Sequence, residues 1–280
     1  MIKAAHVSDL HFSKVYPEAE RALQEELTAG NYRLIIISGD ITQRAFAGQF
    51  RRAAHFIRDL HMPVLVIPGN HDITNINLIR RIINPFKYYK RYISEDLDQV
   101  YEDDDILAVG INSAKRYPIR NGKISAEQIA RAAERFKKST AGFKLLVTHH
   151  PFIRPPHGSY RHIVKGAGMT IKGLKDCGVS LILSGHYHTA YFGSIKNHFP
   201  GITRDIITSQ AGTAVSRRTR TDGNTINIIK IENDEFSLTS KGFLQNQFRE
   251  IETVRFKFSE TELVPILAEE VSGEAGPSGD

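Results

Sequence analysis

Five short apolar runs, each ending abruptly in Gly, Asp, Asn or His, constrain the fold of this chain more than any other feature. The runs are residues 2–7, 34–37, 64–67, 143–147 and 179–183. Runs of this length that are rich in β-branched residues are typical of buried strands. Helical patterns lie between several of them, at residues 18–29, 46–60 and 125–136, and Ser125 with Gln128 forms a capping box.

The alternation of strand and helix predicts an α/β fold with parallel strand pairing. Because ligands of open α/β sheets sit outside the carboxyl ends of strands, the five polar clusters should meet at one edge. The later segments 205–209, 225–231, 236–240 and 251–258 are strand-like with few helices between them. They predict a second, more antiparallel sheet from about residue 205, packed on the first.

We expect a single domain over residues 1–258 and a C-terminal extension over residues 259–280. From about residue 271 the extension consists mainly of small and polar residues, which predicts disorder. No apolar run approaches the ~18 residues that a membrane span needs. The first residues do not form a signal-peptide pattern, so the sequence predicts a cytoplasmic protein without a transmembrane segment.

The composition limits the kinds of cross-link, metal site and partner that this chain can have. The single cysteine excludes an intramolecular disulfide and a zinc site built on cysteine pairs. The formal net charge of +6 favours anionic partners such as nucleotides, phosphate esters, nucleic acid or acidic lipid headgroups. A modest excess of lysine and arginine is also ordinary for solubility, so charge alone does not choose among these partners.

The polar clusters at the strand ends contain seven side chains of types that bind metal ions. They are Asp9, His11, Asp40, Asn70, His149, His186 and His188. Seven ligands are too many for one ion and suit two ions that share a bridging carboxylate. Asp40 stands alone in its loop and is the expected bridge. Four imidazoles disfavour Ca and Mg and leave Mn, Fe, Co, Ni or Zn open, as two divalent or trivalent ions.

Two such ions with two aspartates would leave the site positive and attract a phosphate group. Paired metal ions lower the pKa of a shared water and polarise a phosphoryl oxygen, as in-line displacement requires. The sequence therefore indicates phosphoester chemistry at the edge where the clusters meet.

The motifs resemble those of the calcineurin-like metallophosphoesterase superfamily. They are Asp9-x-His11, Gly39-Asp40, Gly69-Asn70-His71-Asp72, His149-His150-Pro151 and Gly185-His186-x-His188. The His-His-Pro form and the stretch Ala211-Gly212-Thr213 are most similar to the class III cyclic-nucleotide phosphodiesterase branch. The resemblance implies a four-layer αββα sandwich of two mixed sheets flanked by helices.

The resemblance also implies roles for these residues. One metal would take Asp9, His11, Asp40 and His188, and the other Asp40, Asn70, His149 and His186. His71 would be the catalytic residue, contacting the phosphate and stabilising developing charge or protonating the leaving oxygen. Histidine titrates near neutral pH and can do either. Asp72 is expected to hold His71 or a loop amide, or simply to cap a turn.

Three basic stretches are candidates for the substrate side of the site. Residues 154–165 follow the His149 loop, residues 217–220 follow Ala211-Gly212-Thr213, and residues 80–92 interleave Arg and Lys with Phe86, Tyr88, Tyr89 and Tyr92. We expect Asn70, His71, His150 and Arg154 to bind substrate, because the first stretch begins at a ligand. The third stretch suits nucleotide stacking or an interface, but an amphipathic helix or cap packed on the body is the more ordinary interpretation.

The leading hypothesis is a dinuclear metal-dependent phosphodiesterase acting on a cyclic nucleotide or related small diester, with a metal-bridging hydroxide as the nucleophile. The alternatives are a pyrophosphatase of a nucleotide-linked lipid such as UDP-diacylglucosamine at a membrane surface, a nuclease, and a scaffold on an inactive fold. The pyrophosphatase branch usually carries Arg in place of His71, and scaffolds usually lose ligands. Peripheral membrane contact, nucleic acid binding, and monomer or homodimer are left open.

Overall fold

The computed structural model describes residues 1–117, 120–156, 158–159, 162–202, 204–219 and 222–258, and the backbone of residues 263–266. The strands in chain order are β1 (Ile2–Val7), β2 (Leu34–Ile37), β3 (Val64–Val66), β4 (Val100–Glu102), β5 (Ile106–Ile111), β6 (Phe143–Thr148), β7 (Val179–Ser184), β8 (Tyr191–Ser194), β9 (Ile207–Gln210), β10 (Thr225–Glu232), β11 (Glu235–Leu244), β12 (Gln247–Phe258) and β13 (Leu263–Ile266). The helices are α1 (Pro17–Ala29), α2 (Ala47–Arg58), α3 (Leu78–Ile83), α4 (Lys87–Tyr92), α5 (Ala126–Lys138) and α6 (Ala167–Leu174), with one 3₁₀ turn at Asn70–Asp72.

Two mixed sheets form the centre of the molecule. The first has the strand order β13-β12-β11-β10-β1-β2-β3 and the second β4-β5-β6-β7-β9-β8. Parallel pairs join β1 to β2 and β2 to β3 in the first sheet, and β5, β6, β7 and β9 in the second. In the first sheet the antiparallel pairs run from β1 through β10 to β13, and in the second sheet they join the edge strands β4 and β8 to their neighbours. This confirms the predicted class of two mixed sheets.

The assignment of strands to sheets, however, was wrong. The five apolar runs do not share one sheet, because β1, β2 and β3 lie in the first and β6 and β7 in the second. The later strands do not form a separate sheet either: β9 joins the second, and β10 to β13 extend the first. β2 covers only one edge of β1, so β10 can pair antiparallel with the other edge. This pairing leaves no open edge at β1.

The layers follow from the alternation of side chains along each strand. On β2, Leu34 and Ile36 enter the core between the sheets, whereas Ile35 and Ile37 enter the core beneath α1 and α2. A separate core beneath α5 and α6 covers the outer face of the second sheet. Both faces of each sheet are therefore buried over the central strands, which explains the continuous apolar runs. The result is the four-layer αββα sandwich.

The predicted capping box at the start of α5 is present in the structure. Ser125 accepts a hydrogen bond from the Gln128 amide, and the Gln128 side chain accepts one from the Ser125 amide, so the predicted capping box begins α5.

The predicted domain boundary at residue 258 falls between the paired strands β12 and β13. Residues 267–280, which include the segment predicted to be disordered, lie outside the described residues. Among the described residues, no helix has the length and apolar character needed to cross a bilayer.

Candidate metal centre

The loops that follow the central strands adopt an unusual backbone conformation. Five of the seven predicted ligands have positive φ angles: 53° at Asp9, 47° at His11, 50° at Asp40, 74° at His186 and 59° at His188. Left-handed backbone is uncommon outside glycine and costs about 1–3 kcal/mol per residue, although Asp and His adopt it more readily than most. Strain of this kind concentrates at functional sites. Here the left-handed residues turn the backbone sharply after each of these strands.

Glycines allow the loops to approach one another closely. Gly39 has φ of 102°, and a Cβ there would lie 2.7 Å from Nδ1 of His149. At Gly69, a Cβ would overlap the backbone nitrogen and the carboxylate of Asp40. The glycines before Asp40 and Asn70 therefore let these two loops approach each other and the His149 loop, although the three loops come from both sheets.

Four of the predicted ligands form one group of donor atoms. Oδ1 of Asp9 lies 3.1 Å from Nε2 of His188 and 3.5 Å from Nε2 of His11. The two imidazole nitrogens are 3.2 Å apart, and Nε2 of His11 lies 3.8 Å from Oδ2 of Asp40. These are the residues that the family resemblance assigned to one metal.

The other oxygen of Asp40 faces a second group. Oδ1 of Asp40 lies 3.3 Å from Nε2 of His149, which in turn is 3.2 Å from Oδ1 of Asn70. Nδ1 of His186 lies 3.2 Å from the same His149 nitrogen. Asp40 thus presents one oxygen to each group, as a bridging carboxylate would.

The geometry and the donor set fit two metal ions. Ligands about 2.0–2.2 Å from a common ion lie about 3.0–3.5 Å from one another, which matches most of these distances. Oδ1 of Asp9 is buried without an aligned hydrogen bond even though His188 is close. Donor atoms that are close together but not aligned for a hydrogen bond are typical of ligands directed at a common metal ion. Imidazole and carboxylate together suit the transition metals.

The buried charges also favour a cation. Burial alone would raise the pKa of Asp9, but the facing His188, with His11 and His149, outweighs burial and holds that pKa well below its usual range. Burial would likewise raise the pKa of Asp40, and the nearby imidazoles of His149, His71 and His11 lower it instead. Both aspartates are therefore charged at neutral pH.

The imidazoles respond in opposite ways. Burial would lower the pKa of His149, but the Asp40 carboxylate raises it to about 9. Asp9 raises the pKa of His188 in the same manner. Burial lowers the pKa of His186 to about 3, with a further contribution from His149. Without an ion, a proton on His149 thus offsets part of the charge of the two aspartates, and the raised pKa of His188 acts in the same direction. A bound metal would take over that role.

In three of the four histidines, the ring nitrogen that faces away from the two groups has a partner that orients the ring, whereas Nδ1 of His11 is buried without a hydrogen-bond partner. Nδ1 of His149 donates to the carbonyl of Ser38 at 2.9 Å, and Nδ1 of His188 donates to the carbonyl of Arg218 at 2.8 Å. Nε2 of His186 lies 2.9 Å from Nδ1 of His162. Such outer hydrogen bonds fix the tautomer and direction of metal-binding histidines.

Asp72 connects two of the ligand loops, so the loop-amide interpretation applies. Its carboxylate accepts hydrogen bonds from the amides of Ile41, Thr42 and Gly69 at 2.8–3.1 Å, and from the Thr42 hydroxyl at 2.9 Å. Asp72 therefore fixes the chain just after Asp40 against the chain just before Asn70.

His71 lies at the mouth of the cluster, between the ligands and solvent. Its amide donates to Oδ1 of Asp40 at 2.8 Å, which ties it to the bridging residue. Nδ1 of His71 lies 2.8 Å from the Gln43 carbonyl, and Nη1 of Arg218 lies 3.0 Å from Nε2. Because the guanidinium can only donate, Nε2 accepts and the ring proton sits on Nδ1.

A cleft of about 580 Å³ opens above the cluster. Its described lining includes Asp40, Asn70, His71, His186 and His188 from the predicted site. We use the name cleft rim for the lining residues that are neither predicted ligands nor buried: His71, Gln43, Asn75, Arg120, His162, Arg218 and Thr219.

Sequence reasoning singled out His71 on the rim but assigned no role to Gln43, Asn75 or Thr219. Arg218 and His162 were noted only as members of basic stretches. The signal that could have found Arg218 is its position shortly after Ala211-Gly212-Thr213, a segment that contacts the Asp9 loop through the Thr213 hydroxyl and the Asp9 carbonyl at 2.6 Å.

Two of the predicted substrate contacts are not among the described lining residues of the cleft. His150 is completely buried, and its Nδ1 lies 2.9 Å from the Ser113 hydroxyl, so it has no face toward the cleft. It lies instead beside His149 and His186, with which it forms a cluster of potential metal-ligand atoms. Arg154 donates to the Gly158 carbonyl at 3.3 Å and is not among the described lining residues. His157, Arg161 and Arg220 of the basic stretches lie outside the described residues.

The fold and this site define a metal-dependent phosphoester hydrolase. The calcineurin-like phosphoesterase family model matches residues 2–190, so the chain belongs to that family. Calcineurin-like phosphoesterases use a dinuclear metal centre, and this chain has two clusters of side chains that could hold metal ions.

Sequence relatives and a solved structure agree with this assignment. A Coxiella burnetii protein named as a probable cyclic nucleotide phosphodiesterase is 27% identical over 201 residues, covering 68% of this chain and 77% of that protein. A probable glycerophosphodiester phosphodiesterase from Arcobacter nitrofigilis is 28% identical over 124 residues, 43% of this chain and 42% of that protein. The crystal structure of a dimetal phosphatase from Danio rerio shares the fold, with a TM-score of 0.63 and 10% identity over 89% of this chain and 98% of that one.

Proposed function

We propose that this protein is a dinuclear metal-dependent phosphodiesterase that hydrolyses a small phosphodiester, with cyclic nucleotides as the first substrate class to test. The observation that carries the proposal is the division of seven side chains into two donor groups that share Asp40, directly beneath a cleft. The names of the curated relatives support the choice of phosphodiesters over other phosphoesters.

We assign the ligands as the two donor groups divide them, within one domain that includes both sheets. One ion would be held by Asp9, His11, Asp40 and His188, and the other by Asp40, Asn70, His149 and His186. When bound, the two ions would supply the positive charge that polarises a phosphoryl oxygen and lowers the pKa of a water molecule.

His71 is the residue that would act on the leaving group. Its Nε2 faces the cleft, while its amide is anchored to Asp40 and its Nδ1 to the Gln43 carbonyl. Hydrolysis breaks the bond from phosphorus to the leaving oxygen, which must gain a proton, and a protonated Nε2 would donate it. The anchors hold the ring in one orientation and so keep that nitrogen directed toward the reacting phosphate.

Arg218 would bind a non-bridging phosphate oxygen. Its guanidinium lies on the rim and donates to Nε2 of His71, the same nitrogen that the leaving oxygen must approach. A phosphate is a stronger acceptor for a guanidinium than a neutral imidazole is. Substrate binding would therefore draw Arg218 from His71 to the phosphate. The freed Nε2 could then take up a proton from solvent and donate it to the leaving oxygen.

The test is a turnover panel with metal-loaded protein. Bis(p-nitrophenyl) phosphate, cyclic nucleotides and a glycerophosphodiester are each assayed with Mn²⁺, Zn²⁺, Co²⁺ and Ni²⁺, while bound metal is measured in parallel. We expect turnover of the generic diester and of at least one natural diester. Absence of turnover on every diester, with two ions bound per chain, would contradict the proposal.

A further inference from the structure

An exposed apolar surface lies beside the cleft. We call it the apolar patch, and it consists of Ile76, Leu78, Ile79, Ile82, Ile83 and Tyr117. These side chains are between 55% and 79% exposed. The other large apolar side chains that are exposed among the described residues stand apart from one another in the sequence, whereas five of these six fall within eight residues. Contiguous apolar surface of this kind marks an interaction site more often than a solvated face.

Helix α3 is what makes the patch unusual. It has the sequence LIRRII and no buried residue, so its four aliphatic side chains contribute little to the core. The next helix, α4, behaves in the opposite way, because Tyr89 is completely buried and its hydroxyl donates to the Val66 carbonyl at 2.7 Å. The packed cap interpretation of residues 80–92 therefore holds for α4 and fails for α3.

Two separate segments form the patch, and two arginines join them. Nε of Arg81 on α3 donates to the carbonyl of Arg116 at 2.6 Å, and Nη1 of Arg116 donates to the carbonyl of Ile82 at 3.0 Å. The Arg81 guanidinium also lies over the Tyr117 ring, 5.8 Å from its centroid. These reciprocal contacts hold the apolar side chains in one surface.

The charged residues within the two segments that carry the patch have a single sign. Residues 73–94 contain five basic side chains and no acidic one, and residues 106–123 contain four basic side chains and no acidic one. Lys87, Arg91 and Arg116 are exposed. Segments that lie in the interface of an anionic bilayer combine aliphatic side chains with lysine and arginine in this way.

We propose that the apolar patch and its surrounding cations dock this protein on an anionic lipid membrane. A second copy of the chain does not fit, because a two-fold contact would set the same patch against itself and place cations opposite cations. An anionic bilayer accepts both components, since aliphatic side chains enter the acyl boundary while the cations meet lipid phosphates.

The patch continues into the mouth of the cleft. Asn75 precedes Ile76, Arg120 follows Tyr117 by three residues, and both line the cleft. Docking through the patch would therefore bring the cleft opening to the membrane surface. The docking itself does not depend on the proposed phosphodiesterase activity and is tested without it.

The experiment is co-sedimentation of the full chain with vesicles. Vesicles of phosphatidylcholine alone are compared with vesicles made of equal parts phosphatidylcholine and phosphatidylglycerol. We expect binding to the anionic vesicles, weak binding to the neutral ones, and loss of binding as salt is raised. Failure to bind anionic vesicles at low salt would overturn the proposal.

Two double variants with matched controls separate the contributions of the aliphatic and the basic side chains to vesicle binding. Ile79→Gln with Ile83→Gln should lower the vesicle partition coefficient at least tenfold, whereas Ile251→Gln, an exposed isoleucine on β12, should not change it. Lys87→Gln with Arg91→Gln should lower it by about fivefold per charge removed, unlike Lys137→Gln with Lys172→Gln on α5 and α6. Equal losses in a variant and its control would contradict docking through this surface.

Light scattering tests whether the apolar patch is instead a surface for self-association of the chain. The proposal predicts that the Ile79 and Ile83 variant keeps the oligomeric state of the unsubstituted protein. A change from dimer to monomer without vesicle binding would show that the patch is a self-association surface and would overturn membrane docking. Urea unfolding confirms that the variant folds, because the substituted side chains are exposed and should change the midpoint little.

Discussion

The predicted ligands and the cleft rim are held in place by different means. The predicted ligands directly follow β1, β2, β3, β6 and β7. Five of the seven are buried, and five adopt left-handed backbone. The rim residues come from loops distant in sequence, and their side chains are half-buried or exposed. His71 belongs to the rim yet is anchored to Asp40, so it connects the two regions.

The difference indicates a division of tasks. Strained, buried loops keep the ligands at fixed distances, which metal binding requires, because the donor atoms must converge before an ion arrives. Exposed side chains on loops can change without disturbing those distances, and substrate choice in shared folds varies through such positions. Substitutions in the two regions should therefore fail in different ways.

The largest effect is expected at the bridging residue. Asp40→Ala should remove both the bound metal and all measurable turnover, because it deletes a ligand from each group and leaves buried imidazoles without their counter-charge. Metal content is measured by plasma mass spectrometry after desalting. Asp205→Ala is the matched control, since Asp205 is a buried aspartate that binds Ser194 outside the cluster. Full metal occupancy in Asp40→Ala would refute the bridging role.

A smaller loss is expected at His71, and it should affect only chemistry. His71→Ala should lower kcat by about 10²–10⁴-fold, the usual contribution of a general acid, while the metal content stays unchanged. His61→Ala, at an exposed histidine, is the control. Loss of metal in His71→Ala would move this residue from the rim to the ligands and break the distinction between the two regions.

Arg218 should affect substrate binding more than chemistry. Arg218→Gln should raise KM by about tenfold, because one charge-assisted hydrogen bond to phosphate is lost, and Arg218→Lys should recover part of the loss. The backbone carbonyl that orients His188 is kept in both variants. Arg217→Gln serves as the control, since the Arg217 guanidinium lies over Tyr16 and its Nε donates to the Val15 carbonyl. Equal KM values for the two glutamine variants would contradict the role of Arg218.

The smallest effect concerns stability rather than activity. His6 is fully buried beneath the cluster, 2.9 Å from the Ser38 hydroxyl, and burial lowers its pKa to about 3. The unfolded chain binds this proton near pH 6.5 and the native chain only near pH 3, so the free energy of unfolding falls as the pH drops through that window.

Urea unfolding of metal-free protein at pH 7 and pH 5 measures this contribution. The decrease between the two pH values should be smaller by about 2 kcal/mol in His6→Gln than in the unsubstituted protein. His198→Gln, at an exposed histidine, should leave the decrease unchanged. An identical decrease in all three proteins would show that His6 does not remain neutral in the native state.

Sequence reasoning selected side chains that the structure brings together, because their signal is local. Each one follows an apolar run within a few residues, and buried strands end where polar side chains begin. The same local signal does not report which strands pair, so the division of β1, β2 and β3 from β6 and β7 between two sheets was missed. The clusters still meet, because the two sheets stack with the relevant strand ends at the same side.

The rim was less predictable for a physical reason. Arg218 and His71 are 147 residues apart, and their contact depends on the path of the loop after β9 rather than on any pattern near either residue. His150 adjoins the predicted ligand His149 in sequence, which favoured a place near substrate, but its ring is buried and lies beside the Ser113 hydroxyl. Local motifs therefore predict the ligands better than the residues that select a substrate.

Metal stoichiometry tests the central claim most directly. Metal-free protein is titrated with Mn²⁺ or Zn²⁺ and the bound ions per chain are counted by calorimetry and mass spectrometry. The account predicts two ions per chain in the unsubstituted protein and a loss of both in Asp40→Ala. A single ion per chain at saturation, or none, would contradict the assignment of Asp9, His11, Asp40, Asn70, His149, His186 and His188 to a shared pair of sites.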